Sequence, residues 1–222
     1  MEHISCYICG NSSNNSIIVK SIAHNDTYKI VRCECGFKYL NPRPNQEEID
    51  SFYSADNYHP YAKGSDYIYK LYKLSQKITF RWKFSIMKKY FKNNLLHLDY
   101  GSGDGSFSKF LNRYGEVKSI SYDPFFSDDN KFNSKESKYN IITLFHSLEH
   151  IHNLDKLFLL ISESLELNGV VIISVPNFNA PEREYFENKW AAYDFPRHLY
   201  HFDSKTLELL LKKNSYAFVK KI

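Results

Sequence analysis

The chain has 222 residues, of which 43% are hydrophobic and 17% are aromatic, and its net charge is +4. This composition excludes a disordered chain and is typical of one main folded domain. The mild positive charge neither requires nor excludes a nucleic-acid partner. No apolar run approaches the ~20 residues of a membrane span, and the N-terminus lacks a signal-peptide pattern, so we expect a cytoplasmic protein.

The four cysteines lie in two close pairs near the N-terminus: Cys6 with Cys9, and Cys33 with Cys35. Each pair can direct two thiolates to one point, and the glycine after it favours a tight turn. Four such thiolates make a tetrahedral set typical of Zn²⁺. Disulfides, which are rare in the cytoplasm, and four unrelated thiols are the alternatives. We therefore predict a structural zinc ribbon over residues 1–42.

Residues 43–94 are predicted to form a helical linker or cap. Asn45 and Glu48 have the spacing of a capping box. Apolar residues then recur with a helical period at positions 71, 74, 78, 82, 86 and 90. We expect this stripe to pack against the main domain, and a basic, aromatic face for nucleic acid is the alternative.

From Leu95 onward, strand and helix patterns alternate. Strands are predicted at 95–101, 117–125, 138–145, 170–177 and 216–222. Helices are predicted at 103–115, 153–167 and 203–214, the second capped by Asn168 and Gly169 and the third by Asp203 or Ser204. This alternation predicts an α/β fold with a doubly wound, mostly parallel, Rossmann-like sheet, which binds ligands at the carboxyl ends of its strands.

The loop after the first of these strands, "LLHLDYGSGDGSF", carries Gly101, Gly103 and Gly105 at alternate positions. A dinucleotide loop would place its third glycine one residue later. Asp99 would repel a pyrophosphate but attract an ammonium group. Together with Asp123 at the tip of the next strand, this pattern favours a nucleoside with a cationic amino-acid tail, and S-adenosylmethionine fits that description.

The motifs "LDYGSGDGSF", "SYDP" and "FHSLEHI" resemble the first, second and fourth motifs of class I S-adenosylmethionine-dependent methyltransferases. The stretch "WAAYDFPRHLYHFDS" resembles a tail typical of one bacterial branch, many of whose members carry a four-cysteine zinc segment and an "NPRP"-like linker. The resemblance implies that residues 95–222 form the methyltransferase domain, with S-adenosylmethionine and structural Zn²⁺ as cofactors. It implies that the cofactor is bound by Asp99, Gly101, Gly103, Gly105, Asp123, Phe145 and His146.

Within that set, the resemblance assigns the methionine amino group to Asp99 and both ribose hydroxyls to Asp123. Phe145 and His146 would border the cofactor and its methyl group, and Phe125 is expected to cover the adenine ring. Two departures from the family pattern stand out. The usual third strand is hard to place between Asp123 and Tyr139, and no antiparallel seventh strand is visible.

Histidines follow two neighbouring strands: His146, His150 and His152 after one, and His198 and His201 after the next. An alcohol acceptor needs a base, and histidine is the usual choice near neutral pH. We expect His146 to be that base, with His198 and Tyr193 as further catalytic candidates. The structural alternative is favoured for His150.

The acceptor is expected to contact Trp190, Arg197 and His201. Arg197 suits a phosphate or carboxylate, or else an ion pair with Asp194 or Glu187. Trp190 and Tyr193 suit a flat acceptor, or else an ordinary aromatic core. A second metal at His198 and His201 has weak support from spacing alone.

These residues favour an O-methyltransferase acting on a sugar, nucleotide-sugar or phosphate group in bacterial surface-polysaccharide synthesis. Its partner would be a small molecule or glycan precursor, and we expect no nucleic acid. The alternatives are an RNA methyltransferase that docks through the zinc ribbon, a sugar C-methyltransferase and a non-catalytic binding module. The sequence leaves the oligomeric state open.

Overall fold

The computed structural model describes residues 1–13, 15–20, 26–53, 66–91, 94–115, 117–124 and 138–221. The chain divides into two compact units. The first unit comprises Met1–Phe52, Leu148–Asn153 and Val175–Ile222, and the second comprises Tyr53–Ser147 and Leu154–Ser174. These units interleave along the chain, whereas the domains predicted at 1–42, 43–94 and 95–222 are continuous and stay a prediction.

The described elements alternate as strands and helices through most of the chain. In chain order the strands are β1 (Ser16–Lys20), β2 (Thr27–Arg32), β3 (Lys38–Leu40), β4 (Leu95–Tyr100), β5 (Val117–Tyr122), β6 (Tyr139–Phe145), β7 (Leu165–Ser174) and β8 (Tyr200–His201). The helices are α1 (Gln46–Asp50), α2 (Asp66–Met87), α3 (Ser106–Leu111), α4 (Leu154–Ser164), α5 (Pro181–Phe186) and α6 (Ser204–Lys213).

The first unit is built on an antiparallel sheet whose described strands follow the order β1-β2-β3-β8. The β1–β2 hairpin lies between the two cysteine pairs, where the sequence predicts a ribbon hairpin. β3 pairs with β8 through Lys38 opposite His201 and Tyr39 opposite Tyr200. Residues from both ends of the chain therefore complete one sheet.

Two helices of the first unit begin at the predicted caps. The Asn45 side chain accepts from the Glu48 backbone N–H at 2.8 Å, and the Glu48 carboxylate accepts from the Asn45 N–H at 2.9 Å. This capping box at α1 is confirmed. At α6 the cap is Asp203, whose carboxylate accepts from the Thr206 N–H at 2.8 Å.

The second unit contains a sheet whose described strands follow the order β5-β4-β6-β7 and are all parallel. β4 lies inside the sheet, with Asp99 opposite Ser121 on β5 and opposite Thr143 on β6. Its side chains are almost all buried, as expected for a central parallel strand. The predicted parallel α/β sheet is therefore confirmed, and its carboxyl edge carries the glycine loop.

The boundary between α4 and β7 differs from the prediction. α4 ends at Ser164, and β7 begins immediately at Leu165. Asn168, at φ +62°, does not cap a helix but lies within β7, where the pairing with β6 shifts register. The predicted helix cap is therefore wrong. β7 is also only half-buried, because it forms an edge of the described sheet.

The long helix α2 is confirmed, but its predicted buried face is only partly right, because Ile86 is buried whereas the first four apolar positions are not. Leu71, Leu74, Ile78 and Trp82 are each more than half exposed. The helix packs through other aromatic residues instead, such as Phe80, whose ring centroid lies 5.3 Å from that of Phe107. No helix within the described ranges is long and apolar enough to cross a membrane.

The predicted final strand is also wrong, because residues 216–221 form no strand. The chain leaves α6 through a turn at Ser215, which has φ +65°. Phe218 and Val219 then lie exposed, and they pair with no strand of the described sheets. Alternating apolar and polar residues form a β-strand only where a neighbouring strand is there to pair with them.

Candidate functional site

The glycine loop between β4 and α3 places three glycines at positive φ, +73°, +55° and +68° in chain order. A Cβ on Gly101 would lie 2.3 Å from the Ser147 Cβ, and one on Gly105 would lie 2.9 Å from the Ser121 hydroxyl. A Cβ on Gly103 would meet no described atom within 4 Å. Close packing against a serine therefore explains why positions 101 and 105 are glycine. The open space beside Gly103 leaves room for a ligand to lie against the backbone.

Asp123 follows β5 directly, and its side chain turns back to this loop. The carboxylate accepts from the Gly103 N–H at 2.7 Å, and the residue is buried. A buried carboxylate at the tip of this strand is suited to accept from ribose hydroxyls. Phe125, expected to cover the adenine ring, lies outside the described residues.

Asp99 ends a chain of buried hydrogen bonds that the sequence analysis missed. The Thr143 hydroxyl donates to Asp99 Oδ1 at 2.9 Å, and His97 Nε2 lies 3.0 Å from the same hydroxyl. The other ring nitrogen of His97 lies 2.8 Å from the Ser119 hydroxyl. Because Thr143 donates to Asp99, the His97 Nε2–H is the donor to Thr143. Positions 97 and 99 share one face of β4, and that alternation is the signal in the sequence.

The charge on Asp99 is set by its surroundings. Burial and the nearby Asp123 raise the pKa of Asp99 to about 6, although the Thr143 hydrogen bond and Lys83 act in the opposite direction. Burial lowers the pKa of His97 to about 3, so this ring is neutral. Lys83 lies with its Nζ 4.3 Å from the Phe145 ring centroid, and burial lowers its pKa. The carboxyl end of β4 therefore carries a carboxylate that titrates in an accessible pH range.

This pKa predicts how the affinity for S-adenosylmethionine depends on pH. The predicted contact of the ligand's ammonium group with Asp99 requires the ionised carboxylate, whose pKa in the folded protein is raised. Below about pH 6 the affinity should fall about tenfold per pH unit, and above it the affinity should level off. Calorimetry between about pH 4.5 and 7.5 measures this slope. Asp99→Asn should remove this pH dependence. A wild-type affinity that does not change with pH would contradict the contact between Asp99 and the ammonium group.

Two predicted cofactor neighbours lie at the carboxyl end of β6, Phe145 as its last residue and His146 directly after it, and they differ in exposure. Phe145 is buried, with its ring centroid 5.7 Å from that of Phe107. His146 is exposed and has φ +57°, a conformation that is uncommon for a residue with a side chain. Its backbone N–H donates to the Ser174 carbonyl at 2.8 Å. The next residue, Ser147, packs on the glycine loop, so His146 is held beside that loop.

Acidic and imidazole groups lie together in the first unit. His198 Nε2 lies 4.0 Å from a carboxylate oxygen of the buried Glu149 and 3.6 Å from one of Asp194. The His150 ring centroid lies 4.5 Å from that of His198. Burial, with a smaller contribution from His198, lowers the pKa of His150 to about 4. Sequence reasoning singled out His198 but missed Glu149, although Glu149 stands in the "LEH" motif.

The predicted acceptor contacts and Tyr193 also lie in the first unit. Trp190 and Tyr193 belong to a buried cluster with Phe178 and Phe195. His201 is buried against the same rings, and burial lowers its pKa to about 3. Their assigned roles stay predictions. Arg197 donates to Asp194 at 2.6 Å, which is one of the ion pairs that the sequence suggested.

The four cysteine sulfurs lie within 4.8 Å of one another. The shortest distances are 3.5 Å between Cys6 and Cys35 and 3.4 Å between Cys9 and Cys33, far beyond the ~2.05 Å of a disulfide bond. Tetrahedral Zn²⁺ at ~2.3 Å from each sulfur would hold them about 3.8 Å apart. Gly10 and Gly36 adopt positive φ after the two pairs, as predicted. The set fits Zn²⁺.

Comparison with known proteins shows which family the chain resembles. A family model described as a methyltransferase domain matches residues 69–221. A SAM-dependent methyltransferase from Archaeoglobus fulgidus is similar at 20% identity and TM-score 0.47, over 68% of this chain and 74% of that one. The YcgJ protein from Bacillus subtilis is similar at 15% identity and TM-score 0.40, over 58% and 65%. No curated protein matches the chain.

The family assignment rests on the matched region, which is more than half of the chain and contains the glycine loop, Asp99 and Asp123. The parallel sheet of the second unit is the fold that such a domain requires. The chain belongs to the methyltransferase-domain family whose model matches residues 69–221.

Proposed function

We propose that this methyltransferase transfers a methyl group to a hydroxyl or phosphate oxygen of a sugar or nucleotide-sugar in bacterial surface-polysaccharide synthesis. The observation that carries the proposal is the exposed His146 at the carboxyl end of β6. Ser147, the next residue, donates to the Tyr100 carbonyl at 2.9 Å and contacts Gly101. His146 is thereby held where the glycine loop begins.

When bound, S-adenosylmethionine supplies an electrophilic methyl group. Asp99 would hold its ammonium group and Asp123 its ribose, while the backbone at Gly103 lies against it. His146 would accept the proton of the attacking hydroxyl, which turns a poor nucleophile into a good one. The bacterial-branch motif and the histidine-rich segments support a polar, glycan-like acceptor.

An RNA substrate is the second candidate, because α2 presents a basic and aromatic surface. Trp82 is half exposed there, and the neighbouring Lys77 and Arg81 are exposed as well. Such a face suits contacts to bases and phosphates. An RNA affinity that falls steeply with salt would favour this substrate. A sugar carbon as acceptor would be distinguished by the site of methylation in the product.

His146→Asn tests the proposal, because asparagine tolerates positive φ but does not act as a general base. Turnover should fall about 100-fold or more, the usual contribution of such a base, with the affinity for S-adenosylmethionine unchanged. The assay follows a labelled methyl group into a panel of nucleotide-sugars and RNA. His3→Asn, at an exposed position, is the matched control. Unchanged turnover in His146→Asn would contradict the assignment of His146 as the base. Methyl transfer to RNA alone would contradict the sugar acceptor.

A further inference from the structure

The acidic and imidazole cluster of the first unit has the composition of a metal site. Glu149, His150 and His198 each offer one ligand atom, and these atoms lie within 4.8 Å of one another. Glu149 is fully buried, and His198 is nearly so. A buried carboxylate is costly unless a proton or a cation compensates its charge, so a cation beside it would be stabilising.

Backbone carbonyls fix both imidazole rings in one tautomer. Nδ1 of His150 lies 3.1 Å from the Arg197 carbonyl, and Nδ1 of His198 lies 2.8 Å from the Ala192 carbonyl. A carbonyl oxygen only accepts, so each Nδ1 carries the hydrogen and each Nε2 carries the lone pair of the neutral ring. Metal-binding histidines in proteins are held in this way, with the second ring nitrogen donating to a carbonyl or carboxylate.

The distances are close to those of a first-row metal. Ligand atoms about 2.0–2.1 Å from tetrahedral Zn²⁺ lie about 3.3 Å apart. His198 Nε2 and the Glu149 carboxylate are 4.0 Å apart, so small side-chain rotations would complete the set. Asp194, 3.6 Å from the same nitrogen, supplies a further oxygen nearby and is held in place by Arg197.

We propose that Glu149, His150 and His198 bind a divalent first-row transition-metal ion, with Zn²⁺ the best match to two imidazoles and one carboxylate. This site is separate from the four cysteines. Three protein ligands leave one position open, the arrangement of catalytic zinc sites, which bind a water or hydroxyl. The proposal does not depend on the acceptor proposed above.

Metal content and cobalt binding of the full-length protein test this site. Protein stripped with a chelator and refilled with Co²⁺ should show absorption typical of nitrogen and oxygen ligands in addition to any thiolate charge transfer. His198→Asn should hold one equivalent fewer than the wild type, and its affinity at this site should fall at least about 100-fold, since even outer-shell changes cost about 10–100-fold. Glu149→Gln should behave in the same way.

His3→Asn is the matched control, because it removes an exposed imidazole and should keep the wild-type metal content. Thermal unfolding checks that each variant is folded. If one of the two ligand variants does not fold, the other still tests the site. Equal metal content in wild type and His198→Asn overturns the site, as does a cobalt spectrum with thiolate ligands alone. Methyl transfer is measured separately, so failure here leaves the proposed function untouched.

Discussion

Asp123→Ala is expected to weaken S-adenosylmethionine binding by about three orders of magnitude. Two charge-assisted hydrogen bonds to the ribose contribute about 1.5–3 kcal/mol each, which corresponds to about 10²–10⁴ in affinity. The variant also removes the acceptor of the Gly103 N–H, a hydrogen bond that joins the glycine loop to the end of β5. Calorimetry at neutral pH measures the loss directly.

Two comparisons make this result specific to Asp123. Asp104→Asn alters an acidic residue of the glycine loop itself, which accepts from Ser106 at the surface, and should leave the affinity nearly unchanged. Removing Asp123 should also lower the pKa of Asp99, because Asp123 contributes to raising it. The pH at which the affinity levels off should therefore move down. Unchanged affinity in Asp123→Ala would remove this residue from the cofactor site.

Cys33→Ser is expected to release Zn²⁺ and destabilise the first unit. Structural zinc binding is worth about 10–16 kcal/mol in small zinc-finger peptides, as much as the whole stability of many domains. Burial raises the pKa of the Cys6 and Cys35 thiols, so their thiolates need a cation nearby. We expect the free energy of unfolding of this unit to fall by about 4–5 kcal/mol or more.

Metal analysis and thermal unfolding of the two proteins provide the measurement. Ser13→Ala, which removes two exposed hydrogen bonds, one to the Arg32 carbonyl and one from the Asn15 N–H, should keep both zinc and stability. Hydrogen exchange should localise the damage of Cys33→Ser to β1–β3. A wild-type protein that contains no zinc at its cysteines would overturn the assignment, as would a Cys33→Ser variant with full zinc content.

The conformation of the glycine loop was predictable because its sequence pattern is local. Gly101, Gly103 and Gly105 mark a turn that needs positive φ, and Asp99 and Asp123 stand at the ends of strands with clear apolar patterns. A parallel sheet brings such strand ends to one edge. The relation between these residues therefore follows from short-range patterns and one topological rule.

Features that depend on distant packing were not predictable. The helical period of α2 shows that one face is apolar, but Leu71 and Trp82 lie exposed while Phe80 and Phe84 make the contacts. The burial of Glu149 beside His198 depends on segments separated by many residues. Asn168 illustrates a further ambiguity, since a residue at positive φ can end a helix or form a strand bulge.

The pairing of β3 with β8 has a consequence for how the protein is made. Residues 38–40 leave the ribosome well before their neighbouring strand at 200–201 has been synthesised. Contacts of such large sequence separation form slowly. Until then the β3 edge of the antiparallel sheet stays unpaired and can pair with other nascent chains. A growing polypeptide of this protein should therefore benefit from chaperone protection until β8 emerges.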